Sequence, residues 1–96
     1  MKKVKLDSFE IRVLINGLYQ MRSQYDDQTK GSFEDLILVL IDTSERLKKG
    51  KRARLLFQND EIRIIRRCLI DWRNLYITEG HPGAVDGINE VLLKFV

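Results

Sequence analysis

Residues 59–78, NDEIRIIRRCLIDWRNLYIT, decide the fold. Ile62, Ile65, Leu69, Trp72 and Tyr76 recur at three- and four-residue steps, and Ile64, Cys68 and Leu75 widen the same arc. A stretch of this length with no glycine or proline is too long for a strand and has the period of a helix. Gly80-His81-Pro82-Gly83 breaks it. Arg63, Arg66, Arg67 and Arg73 fall on the opposite side, with Ile70 among them. Only Arg67 has an acidic residue four positions further on, Asp71, so the other three arginines need partners elsewhere.

The same pattern occurs earlier in the chain. Shifted by 51 positions, Glu10-Ile11-Arg12 falls on Glu61-Ile62-Arg63, Leu18, Arg22 and Tyr25 on Leu69, Arg73 and Tyr76, and Asp35 and Ile37 on Asp86 and Ile88. Leu6/Phe57, Val13/Ile64, Leu14/Ile65, Leu40/Val91 and Ile41/Leu92 are conservative pairs. Eight identities in 36 ungapped positions exceed the roughly two that average residue usage gives by chance. The chain therefore reads as two related helical hairpins, neither able to bury its apolar face alone. Stacked together, they predict an all-α, compact four-helix unit without a sheet.

The elements follow from this frame. The first helix should run from about Ser8 to Asp26, capped by Asp7 with Glu10 three residues on, and with Leu6 stapled onto Ile11. Ile11, Leu14, Leu18, Met21 and Tyr25 form its stripe. Residues 26–31 read as a loop. The second helix should cover about Phe33 to Lys49, capped by Ser32, burying Phe33, Leu36, Ile37, Leu40, Ile41 and Leu47, and stopped by Gly50. Residues 50–58 form a basic connector of undecided conformation. The third helix spans about Asn59 to Thr78. The fourth spans about Ala84 to Phe95 and turns Val85, Ile88, Leu92 and Phe95 inward. The first hairpin thus takes in residues 6–49, the second residues 59–95, and the 96 residues make a single domain.

Charge is unevenly placed. The net excess is only +3, yet Arg46, Lys48, Lys49, Lys51, Arg52 and Arg54 crowd nine residues that run from the end of the second helix into the connector. With the four arginines of the third helix they account for ten of seventeen cations, so the basic character is concentrated there. Ile15 and Asn16 of the first repeat become Arg66 and Arg67 in the second, a change that folding does not require. Arg52, Arg54, Arg63, Arg66, Arg67 and Arg73 are the candidate partner-binding residues. The alternative is a solvated surface whose arginines pair with Glu34, Asp35, Asp86 or Glu90.

Residues for chemistry are sparse. His81 is the sole histidine and Cys68 the sole cysteine, so no usual zinc set forms within the chain. No nucleophile motif flanks His81, which reads as a turn residue. There is no glycine-rich phosphate loop. Asp26-Asp27 lacks calcium-loop spacing and reads as solvated loop charge. Cys68 aligns with Gly17, and between a reactive thiol and a small residue at a close helix approach, the second is expected. Tyr25, Trp72 and Tyr76 lie on core stripes, and no strand platform for base stacking is expected.

These observations predict no enzyme, no cofactor and no metal. The expected function is a small non-catalytic protein-interaction module, such as an inhibitor, adaptor or regulator, binding an acidic protein surface through the basic helix face. Leu38, Val39, Ile70 and Ile77 lie off the main stripes and could add a docking or homodimer surface. The alternative is a nucleic-acid-binding protein that makes mainly phosphate contacts. A lone cysteine, no signal-peptide pattern and no apolar run of spanning length point to the cytoplasm rather than a membrane.

Overall fold

The computed structural model describes residues 1–25, 27–48 and 50–96, with the side chains of residues 27–30 and 32 left outside that description. Its order is strand β1 (Lys2–Asp7), helix α1 (Ser8–Met21), a 3-10 turn (Arg22–Gln24), helix α2 (Asp27–Arg46), strand β2 (Arg52–Phe57), helix α3 (Asn59–Glu79) and helix α4 (Pro82–Leu93). The molecule is mostly helical, but the expectation of an all-α chain without a sheet is wrong. β1 and β2 pair antiparallel, from Lys2 opposite Phe57 to Asp7 opposite Arg52.

The physical reason lies in a two-residue alternation. Val4 and Leu6 of β1 point into the core while Lys3 and Lys5 face out. In β2, Ala53, Leu55 and Phe57 turn inward, and Arg52, Arg54 and Leu56 outward. One face of the ribbon is thus apolar and helix-covered, the usual arrangement of an antiparallel pair with one solvated side. Val4 stands directly opposite Leu55. The undecided connector is therefore a strand from Arg52 onward, entered through Gly50 at φ 80°, a backbone region that glycine occupies without strain.

Each strand passes straight into a helix. Asp7 ends β1 in an extended conformation and caps α1: its carboxylate accepts the Glu10 N–H at 2.8 Å, and Glu10 accepts the Asp7 N–H at 2.9 Å. At the start of α3 the Gln58 N–H donates to Glu61 at 2.8 Å. α3 ends where Gly80 adopts φ 79° and the His81 N–H bonds back to the Tyr76 carbonyl at 2.9 Å. Pro82 opens α4, where its missing N–H costs nothing.

α2 differs most from expectation. It begins at Asp27, so the predicted loop is helical over residues 27–31 and Ser32 sits inside the helix rather than capping it. Gly31 weakens a helix by only about 1 kcal/mol, too little to break one held by Phe33, Leu36, Ile37 and Leu40 in the core. The helix stops at Arg46, short of Gly50. Asp26 of the carboxylate pair and Lys49 of the basic cluster lie outside the described residues.

One core joins the two strands and the four helices. Ile11, Leu14, Leu18, Ile65, Leu69 and Trp72 are buried as the periodicity predicts, while Ile62 is half-buried. Ile41 leaves the predicted stripe and is exposed. α1 and α3 meet closely at small residues: the Cys68 Sγ approaches the Gly17 carbonyl at 3.5 Å. The ring of Phe57 meets that of Phe95 edge-on at 5.4 Å and ties β2 to the segment after α4. No helix among the described residues is long and apolar enough to cross a membrane.

Candidate functional site

The outward face of the ribbon carries Lys3 and Lys5 from β1 and Arg52 and Arg54 from β2, all exposed. Lys5 stands directly opposite Arg54. Like charges at such a cross-strand position destabilise a sheet. Among the described residues no carboxylate comes within 4.0 Å of any of the four. Asp7, opposite Arg52, is committed to the helix cap instead. Leu56 shares this face opposite Lys3 and is 62% exposed, an apolar side chain for which the fold has no use.

Arg52 and Arg54 were legible as candidates, but Lys3 and Lys5 were not. The available signal was the Lys3-Val4-Lys5-Leu6 alternation, too short to distinguish a strand from a basic lead-in to the first helix.

A second cationic cluster lies on α3. Arg63, Arg66 and Arg67 are exposed and line a shallow recess of about 260 Å³ with Ile70 and Asp71. The Arg67 guanidinium lies 5.4 Å from the centre of the Tyr25 ring, a cation–π contact that fixes its position. Tyr25 in turn stacks on Phe33 at 4.8 Å and donates its hydroxyl to Asp71 at 2.7 Å. Burial, helped by that bond, raises the Tyr25 pKa well above its ordinary value. Asp71, the expected helical partner of Arg67, is thus turned to Tyr25. No described carboxylate comes within 4.0 Å of Arg63, Arg66 or Arg67, whereas Glu34, a candidate partner, approaches Arg22 at 4.0 Å.

Arg73 does not join them. It is half-buried and donates from Nη1 to Asn89 of α4 at 3.1 Å, while its Nε is buried without a partner among the described residues. Its surroundings are those of a packing residue that ties α3 to α4.

The remaining candidates for chemistry are placed by packing. Cys68 is fully buried and its thiol is pushed up to about 12, by burial first and by the charge of Asp71 second. Trp72 is buried and donates to Gln20 at 3.2 Å, and the Tyr76 hydroxyl bonds the same oxygen at 3.1 Å. None of the predicted core aromatics lies on the ribbon. His81 sits 3.6 Å from Glu79 and edge-on to Tyr76. Leu38, Val39 and Ile77 are exposed, and Ile70 packs half-buried on the core. Among the described residues no three His, Cys, Asp or Glu side chains gather as metal ligands would. Comparison with protein-family models, curated proteins and solved structures gives no match.

Proposed function

We propose that this protein is a non-catalytic binding module that docks an acidic macromolecular surface. The observation that carries this reading is the outward ribbon face, where Lys3, Lys5, Arg52 and Arg54 stand exposed and Lys5 opposes Arg54 without a described carboxylate to neutralise either. A fold tolerates such repulsion at little cost when a partner supplies the anions. Arginine suits the task because its planar fork donates two aligned hydrogen bonds to carboxylate or phosphate. Arg63, Arg66 and Arg67 form an auxiliary cluster on α3, and Arg73 is left to the fold. In this reading the protein acts in the cytoplasm as a regulator or adaptor.

The test is elution from a sulfated polyanion resin as salt rises. Lys3→Gln with Lys5→Gln and Arg54→Gln should elute at clearly lower salt than Arg12→Gln with Arg46→Gln and Lys48→Gln, which removes the same charge elsewhere. Equal elution of the two triple variants would reduce the effect to net charge and remove the ribbon from the site.

The fold itself supports a finer reading, a chain of two β-α-α units related by a local twofold axis. The directly paired Val4 and Leu55, and the touching Gly17 and Cys68, are each 51 positions apart, the same shift that aligns the two halves of the sequence. An axis relating the halves brings equivalent residues together in this way. Residues 6–41 should superpose on residues 57–92 with the same handedness. Different interhelical geometry in the two halves would reduce the similarity to shared amphipathic periodicity.

A further inference from the structure

We infer that the acidic surface is double-stranded DNA, with the β1–β2 ribbon entering the major groove. This rests on the reading of the ribbon as the binding face and specifies its partner.

The first argument is dimensional. The ribbon is two strands wide, and each strand has six residues. Strands lie about 4.8 Å apart and rise about 3.4 Å per residue, so the ribbon is about 20 Å long. The major groove of B-form DNA is about 12 Å wide and admits a two-stranded ribbon with its side chains. The strand rise is close to the axial rise of the duplex, about 3.4 Å per base pair. Lys3 and Lys5, like Arg52 and Arg54, are two residues apart on one face and so stand about 7 Å apart along the strand.

The second argument is chemical. Arg52 and Arg54 present forks that match the O6 and N7 acceptors of guanine, while Lys3 and Lys5 supply point charges for those acceptors or for phosphate. Leu56, exposed among the cations, has no role against a sheet of carboxylates. Against a major groove it gains one, since the thymine methyl group offers an apolar surface there and nowhere in the minor groove. The opposed Lys5 and Arg54 would sit between two phosphate backbones, where their mutual repulsion is offset from both sides. An acidic protein surface accounts for the charge, but does not call for a ribbon two strands wide.

The experiment is fluorescence anisotropy with a labelled mixed-sequence DNA duplex of about 20 base pairs, two helical turns. The RNA duplex of the same sequence, heparin and polyglutamate serve as competitors. The major groove of A-form RNA is too deep and narrow for side chains to read. The DNA duplex should be retained against the RNA duplex and polyglutamate, and its affinity should fall linearly with salt on logarithmic axes. Dimethyl sulfate should find guanine N7, in the major groove, protected, and adenine N3, in the minor groove, still reactive. Lys5→Ala with Arg54→Ala, folded by circular dichroism, should bind at least about tenfold more weakly. Its salt slope should be shallower by about 0.9 for each phosphate that is no longer neutralised. Equal competition by the RNA duplex, preference for polyglutamate, or unprotected guanine N7 would overturn the inference while leaving an acidic-surface binder. Failure to hold any of these polyanions would overturn both.

Discussion

Gly17 of α1 lies flush against the indole of Trp72 of α3. A Cβ built on Gly17 would stand 2.7 Å from Trp72 Cε3 and 2.9 Å from Cζ3, closer than van der Waals radii allow. Helix propensity alone predicts that Gly17→Ala stabilises α1 by about 1 kcal/mol. The Trp72 ring is buried and also held by Gln20, so it cannot swing aside freely, and overpacking costs about 1–3 kcal/mol. Gly17→Ala should therefore lower the urea midpoint and shift the Trp72 fluorescence. A midpoint at or above the wild-type value would show that the ring relaxes.

Leu69 and Arg66 lie on opposite sides of α3. Leu69→Ala empties a fully buried site and should cost about 2–5 kcal/mol, a large share of the roughly 5–15 kcal/mol of a typical domain. Arg66 is exposed, and Arg66→Ala should stay within about 0.5 kcal/mol. Thermal denaturation of both variants decides the point. Comparable losses would make the arginine part of the scaffold.

Arg73 should behave unlike the other arginines of its helix. Arg73→Ala removes the bond to Asn89 and the half-buried stem, and should cost about 1 kcal/mol or more. Retention on the polyanion resin should change no more than the loss of any single surface charge. Charge reversal at Arg63, Arg66 and Arg67 should do the opposite, weakening retention and leaving the fold intact by circular dichroism.

Alkali should weaken the fold through Cys68. In the unfolded chain the thiol ionises near 9.0, while burial in the fold holds it protonated to about 12. Between those values the unfolded state binds fewer protons, so stability falls as pH rises, by at most about 1.4 kcal/mol per pH unit from this group. Below the unfolded value the group contributes no pH dependence. Urea unfolding across this window should give a shallower decline for Cys68→Ala than for the wild type, and parallel curves would assign the alkaline loss to other groups.

The helices were readable because each repeats its apolar signal over several turns. Leu14, Leu18, Ile65, Leu69 and Trp72 are buried where the period puts them. The strands were not, because six residues give only two or three alternations and their meaning depends on a partner far away in sequence. Lys2-Lys3-Val4-Lys5 looks like a basic lead-in until Leu55 is placed opposite Val4. In β2, Leu55, Leu56 and Phe57 run together and hide the alternation that sends Leu56 outward. The correspondence of Leu6 with Phe57 pointed to matching roles, but nothing local could say that the two segments pair. The candidate site was half-legible for the same reason: charge density located Arg52 and Arg54, and only the sheet brings Lys3 and Lys5 beside them.

The ribbon also sets an order on the folding reaction. β1 finds its partner 45 to 55 positions downstream, so the chain must close a loop spanning the whole first hairpin before any ladder bond forms. Closing a loop of this size is entropically costly and the pairing is non-local, which places the molecule among slower folders than a helical bundle of equal length. A nick at Gly50 would leave two fragments, each with a bare strand edge and half an apolar face. Neither should hold its fold alone, but mixed together they should recover it by edge-to-edge pairing, at a rate that rises with concentration.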